Sequence, residues 1–245
     1  MGIVLRMRST KAVLFLSALI GGAMTADADI ELARQRFANS KAINLDLEAQ
    51  TQMITGDLQA AARTIDTALQ IDPTLWLTYF MRARLFVLQH KYELAIQDCN
   101  WVLAKYSAFV EAALLRAEAN ARLGRYADSS RELDHVVAIH PHLDSYARAL
   151  QERAWFRSTC PDASFRNGQQ AVQDAKIACK ITKWADASTI DTLAVACAEA
   201  GDFGSAIRYG EQTLSVKGIT PHESRRVQQH LALFKQRRPV RTPAT

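Results

Sequence analysis

The chain has 245 residues, is 49% hydrophobic and only 22% charged, and carries 10 Gly and 6 Pro. That composition supports a proper core and excludes a disordered, collagen-like or disulfide-dense chain. The formal charge of +5 is modest, and it marks no overall polyanion-binding character.

Arg6, Arg8 and Lys11 precede an uncharged apolar run, Ala12 to Met24, and Ala26-Asp27-Ala28 supplies the small residues of a cleavage site. This is the pattern of a secretory signal over residues 1–28, with Met7 an alternative start. The apolar run is shorter than the roughly 20 residues needed to span a bilayer, which favours cleavage over an uncleaved anchor. The expectation is an exported protein, periplasmic or secreted, with no stable membrane span after cleavage. Removing the segment takes away three cations and Asp27, so the mature charge is +3. Residues 29–41 are expected to form a short N-terminal cap.

From residue 42 the chain repeats. Arg82-Ala83, Arg116-Ala117 and Arg153-Ala154 recur, with Leu193-Ala194 in the same place further on, and the first interval is 34 residues. A second small-residue series runs Ala61, Ala95, Ser129, Ala171 and Ala206. Between the two series lie the turn signals Gly56-Asp57, His90-Lys91, Gly124-Arg125 and Gly201-Asp202. The pattern predicts a helix, a tight turn, a second helix and a looser break, with small residues where the helices cross. One such hairpin cannot bury its own apolar face, so several must stack.

These residues resemble the tetratricopeptide repeat. Tyr79, Ala83, Phe86, Tyr92, Ala95 and Cys99 fall on its signature positions, while His90, Ser129 and Asn120 replace the usual Gly, Ala and aromatic residue. The resemblance implies an all-α, right-handed α-solenoid of about five units, at about 42–75, 76–109, 110–143, 144–186 and 187–218. Residues 219–238 read as an amphipathic capping helix carrying Val227, Leu231, Leu233 and Phe234 on its apolar side, and 239–245 as a flexible tail.

The fourth unit is enlarged. Ala154 and Ala171 lie 17 residues apart where the other units predict 12. Five residues have therefore been added in RSTCPDASFRNG, a surface turn where extra length costs little. Pro161 is expected to stop the first helix near Thr159, Asp162 to bond the turn, and Gly168 to free the backbone at the next helix start. Residues 154–203, through Cys160-Pro161-Asp162, Arg166-Asn167-Gly168, Cys179, Trp184 and Asp191-Thr192-Leu193-Ala194, resemble a variant unit of exported bacterial, planctomycete-like proteins of this type. That likeness implies lineage more than chemistry.

No catalytic, cofactor or metal site is expected. Cys160 has no histidine nearby to act as its base. Cys160 and Cys179 lie at opposite ends of a hairpin, about 16 Å apart at helical rise, beyond disulfide reach. His135, His140 and His142 read as a polar turn rather than a metal cluster. The resemblance implies a protein or peptide ligand in a groove lined by the first helix of each unit; no nucleic-acid partner is expected, because Arg225, Arg226, Lys235, Arg237, Arg238 and Arg241 read as an ordinary solvated tail in an exported protein. In register the groove residues are Gln50, Met53, Phe80, Arg84, Val87, Leu88, Leu114, Glu118, Arg122, Gln151 and Trp155. Asp46 and Gln50 stand where chaperone-docking relatives carry the Lys and Asn pattern that grips a C-terminal carboxylate, so a chaperone-tail receptor is disfavoured. The alternative reading is a cell-envelope assembly protein that associates through its solenoid ends.

Overall fold

The computed structural model describes residues 40–139 and 142–243, and the expected signal segment and most of the expected N-terminal cap lie outside them. The chain divides into two compact units, one up to Leu123 and one from Gly124. Among the described residues there are eleven α-helices and no strand.

The first unit holds α1 (Ser40–Thr55), α2 (Leu58–Ile71), α3 (Trp76–Leu88), α4 (Tyr92–Lys105) and α5 (Val110–Arg122). Helices α1 and α2 form one antiparallel hairpin and α3 and α4 a second, while α1, α3 and α5 lie side by side. The turn α1–α2 shows why the hairpin is tight. Gly56 adopts φ +85°, which lets the Asp57 amide donate back to Gln52 O at 2.9 Å and close the helix. The Asp57 carboxylate then accepts from the Ala60 amide at 2.9 Å and starts α2. At the equivalent turn after α3, His90 takes the same left-handed backbone, φ +59°, and the Lys91 amide reaches Phe86 O at 2.8 Å. A side chain there costs about 1 kcal/mol that Gly would avoid. The His90 ring recovers a hydrogen bond to the Tyr92 hydroxyl at 2.8 Å.

The core of this unit is built on Trp76, fully buried and edge-on to Phe109 at 4.9 Å. Ala49, Ala61, Ala68, Ala83 and Ala95 are buried without remainder. These are the small residues of the repeat, and they set how closely the helices approach. The arginine of the recurring Arg-Ala pair has its own role. Arg82 makes a two-pronged ion pair with the buried Asp98 on α4, both contacts 2.8 Å, sixteen residues on.

The second unit holds α6 (Tyr126–Ala138), α7 (Leu143–Thr159), a 3-10 turn (Ala163–Phe165), α8 (Gly168–Ile181), α9 (Ala187–Glu199), α10 (Phe203–Leu214) and α11 (Pro221–Lys235). Helices α7 and α8 pair, as do α9 and α10; α11 packs on α10 and α9. Helix α9 is the spine of the unit, with an unbroken buried run from Thr189 to Ala198. Arg153 repeats the Arg82 device: it grips Asp174 on α8 through two contacts of 2.8 and 2.9 Å, now twenty-one residues on because of the enlarged turn. Its remaining nitrogen and Arg157 both reach Asp134 on α6.

Helix α11 starts at a reciprocal cap, in which the Glu223 amide donates to Thr220 Oγ1 and the Thr220 amide to the Glu223 carboxylate. Pro221 follows at the first helical position. Its buried face is Val227, His230, Leu231 and Phe234. Leu231 seats against Gly210, where a Cβ would lie 2.7 Å from Leu231 Cδ2. His230 was not anticipated on that face, and Leu233 is only half-buried.

The tail expectation is corrected for residues 240–242. Val240 is buried with 8% exposure. The Thr242 amide donates to Thr159 O at 2.9 Å, and Arg241 pairs with Glu199 at 2.6 Å. Donors brought by the tail meet acceptors at the end of α7, which holds this part of the chain in place.

Candidate functional site

The face formed by α1, α3 and α5 in the first unit carries equivalent positions at intervals of 34 residues. Gln50, Arg84 and Glu118 make one column; Ile54, Leu88 and Arg122 make the next. Ile54 is 76% exposed and Leu88 48%, two apolar side chains at the same place on neighbouring helices. Glu118 and Arg122 are exposed and form an intrahelical ion pair at 3.6 Å. Arg84 is half-buried, with Nη1 3.7 Å from Met81 Sδ, and Gln50 and Val87 are half-buried. This face therefore offers apolar contact bordered by charge of both signs.

Other expected groove residues are used inside the unit. Leu114 is 4% exposed and Met53 is buried, so both belong to the core. Phe80 is half-buried, edge-on to Phe109 at 4.9 Å. Ile54 was missed, although the 34-residue period points to it from Leu88.

A second feature of the α1–α3 contact is Asp46, which is 2% exposed. Its Oδ2 accepts from Thr78 Oγ1 at 2.9 Å, while Oδ1 has no partner. Burial lifts the carboxyl to about 7, and the Thr78 hydrogen bond opposes only part of that rise. A group so placed is an acid that keeps its proton up to about pH 7 inside a helix contact. It is neither a clamp for an anion nor one member of a catalytic pair.

In the second unit the expected groove residues are covered. The Gln151 side-chain amide donates to Ser188 Oγ at 2.7 Å, joining α7 to α9. The half-buried Trp155 ring lies 6.0 Å from that of His230 on α11. His230 Nδ1 is 2.9 Å from the buried Asp191, whose other oxygen is 3.3 Å from Arg226 Nε. Helix α11 thus covers Trp155 and satisfies Asp191. The capping-helix pattern, which places Val227, Leu231, Leu233 and Phe234 on the apolar side, gives no signal for this cluster.

The enlarged turn is a docking device. Arg166 Nη1 donates to Cys160 O and Pro161 O at 2.7 and 3.0 Å, and Nε donates to Glu199 at 3.0 Å on the end of α9. Asn167 caps α8 by accepting from the Gln170 amide at 3.0 Å. A Cβ on Gly168 would lie 2.5 Å from the Ala200 nitrogen, so only glycine permits this approach to the end of α9. Cys160 is buried beside these residues, and burial pushes its thiol up rather than activating it. Cys179 and Cys197 are raised to about 12 and about 11, again by burial. None of the four cysteines forms a disulfide, and all four are buried. Among the described residues no three His, Cys, Asp or Glu side chains converge on a metal position, and no helix is long and apolar enough to cross a membrane.

Hairpins of this size, stacked through small residues, define an all-α helical-repeat solenoid. The repeat is that of the tetratricopeptide fold, and known structures of that kind superpose on the chain. A thermophilic TPR protein of Thermus thermophilus matches with a TM-score of 0.63 at 16% identity, over 78% of this chain and 100% of that one. Pseudomonas aeruginosa pilF matches with a TM-score of 0.60 at 12% identity, over 81% of this chain and 90% of that one. In sequence, the tetratricopeptide repeat and J domain-containing co-chaperone DNJ1 of Cryptococcus neoformans is 28% identical over 128 residues, 52% of this chain. The matched part spans only 23% of that relative's length. No protein-family model matches the chain.

Proposed function

We propose that the protein is a non-enzymatic scaffold that binds a protein or peptide on the α1–α3–α5 face, in an exported setting. The tetratricopeptide fold supports a role in protein–protein interaction, and one observation carries the choice of face. Ile54 and Leu88 leave apolar surface uncovered at equivalent positions, next to Arg84, Glu118 and Arg122. Exposed apolar side chains ringed by polar ones suit a peptide that offers a few apolar anchors. The charges are of both signs and partly paired, which favours a peptide over nucleic acid, whose binding needs a run of unpaired cations. The exported setting rests on Arg6, Arg8 and Lys11 ahead of the apolar run to Met24.

The test compares wild type with an Ile54→Ser, Leu88→Ser double variant as bait for the exported protein fraction. Both positions are exposed, so the melting temperature should stay within about a degree or two of wild type. The captured proteins should fall at least fivefold. Recovery of the same proteins at the same level with both baits would show that the face is wrongly assigned. Gel filtration of the two baits at several salt concentrations separates this from self-association through the same residues.

A further inference from the structure

We propose that the second unit contains a peptide-binding site between the ends of α7 and α9, and that residues 240–242 of the chain's own tail fill it as a displaceable internal ligand. The site would take an extended peptide carrying a small branched apolar residue followed by arginine and a residue with a free backbone amide.

The argument begins with how the helices end. The last carbonyls of a helix lack intrahelical donors and must find them elsewhere. Helices α1, α3 and α9 solve this locally: each is followed by a left-handed residue, Gly56, His90 or Gly201, and the next amide folds back onto the helix. Helix α7 has no such residue. Pro161 and the enlarged turn carry the chain away instead, and its final carbonyls are satisfied one by one. Phe156 O accepts from the Cys160 amide at 3.0 Å and Arg157 O from the Asn167 amide at 2.9 Å, both within the turn. Ser158 O and Thr159 O are left for the tail: Arg241 Nη1 donates to the first at 3.2 Å and the Thr242 amide to the second at 2.9 Å.

The remaining contacts have the character of ligand recognition. Thr242 Oγ1 donates to Thr159 Oγ1 at 3.0 Å. Arg241 pairs with Glu199 at 2.6 Å, on the carboxylate that Arg166 of the enlarged turn holds from its other oxygen at 3.0 Å. Glu199 is therefore already oriented when the cation arrives. Val240 belongs to the apolar cluster that includes Ala154, Leu193 and Phe234. An apolar anchor, a charge on a fixed carboxylate and a backbone amide on a helix-end carbonyl together read a short extended sequence.

Three residues hold the tail, and the chain enters through Arg237, which has a left-handed backbone at φ +55°, and Pro239. So short an attachment owes its occupancy to being tethered, because the tether keeps its local concentration high. A competing peptide with the same three features, present at sufficient concentration, displaces it. This site is separate from the α1–α3–α5 face, and neither proposal depends on the other.

The probe is a fluorescent synthetic peptide with the sequence of residues 238–245, RPVRTPAT, titrated into the full chain and read by anisotropy. A Val240→Ser, Arg241→Ala double variant frees the site of its own tail. It is expected to bind the probe at least tenfold more tightly than wild type. Adding Glu199→Gln to that variant, or replacing the probe's second arginine by alanine in RPVATPAT, is expected to abolish binding. Equal binding to wild type and double variant, or no binding to either, overturns the proposal. A second measurement uses wild type alone and is independent of the variant's folding. Excess unlabelled RPVRTPAT is expected to speed hydrogen exchange at the Thr242 amide at least fivefold, whereas RPVATPAT leaves it unchanged. An exchange rate indifferent to both peptides makes the tail a permanent cap and the proposal wrong.

Discussion

At the scale of single residues, Asp46 is the least expected feature. A buried carboxyl on a helix contact is ordinarily paired with a cation, and this one has only the Thr78 hydroxyl. Its pH linkage follows from the direction of the shift. The folded carboxyl keeps its proton to about 7, whereas the unfolded one releases it near the ordinary 3.8. Between those values the folded state holds the extra proton, so stability falls as pH rises through that window, then levels off above it. Asp46→Asn keeps an acceptor for Thr78 without the buried charge. It is expected to raise stability by about 2 kcal/mol at about pH 8 and to have little effect at about pH 4. Urea melts of both proteins at the two pH values test this, and an equal effect at both would remove burial as the cause. The 34-residue period says nothing about Asp46, because its equivalents on α3 and α5 are Phe80 and Leu114.

At the scale of elements, the enlarged turn shows how one insertion is absorbed. The Arg-Ala recurrence is legible in sequence, but its reason appears only with Asp98 and Asp174 on the return helices. The sixteen-residue offset from Arg82 to Asp98 becomes twenty-one from Arg153 to Asp174, so the five added residues leave the hairpin's ion pair in register. The turn is then locked to α9 by Arg166 on Glu199 and by the missing side chain of Gly168. Gly168→Ala would put a methyl into the Ala200 backbone, which cannot yield without shifting the start of α8. It is expected to cost about 2 kcal/mol, on the order of an overpacked core position. Thermal melts should show a fall of several degrees, and an unchanged melting temperature would mean the turn is not docked as described. The sequence places Gly168 at the helix start for backbone freedom; the structure shows that close approach to α9 is the stronger requirement.

Across the whole molecule, the cysteines test how completely the two cores exclude solvent. Cys99 lies in the first unit and Cys160, Cys179 and Cys197 in the second, all buried as thiols. Burial raises Cys160, Cys179 and Cys197, so little thiolate exists near neutral pH. Native protein incubated with iodoacetamide is expected to take up no label over an hour at about pH 7.5, and four labels per chain once unfolded in guanidinium. Mass spectrometry reads the count directly. A 2 Da deficit with fewer than four labels would reveal a disulfide, and rapid labelling of the native protein would show an open core.

The sequence by itself determined the class of fold, because a helical hairpin stamps its period on the chain. Small residues must recur where the helices cross, and a left-handed turn residue must recur between them. It also located the enlarged turn, since an insertion is a break in that count. It could not decide which groove positions stay open, because burial depends on what packs against them. Leu114 sinks into the core and Trp155 is covered by α11, whereas Ile54 and Leu88 remain exposed. Nor could it show the tail seated on α7, where Thr159 and Thr242 meet across a separation of 83 positions. Contacts at that separation follow no local period. Only the tertiary structure brings such donors and acceptors within hydrogen-bond distance.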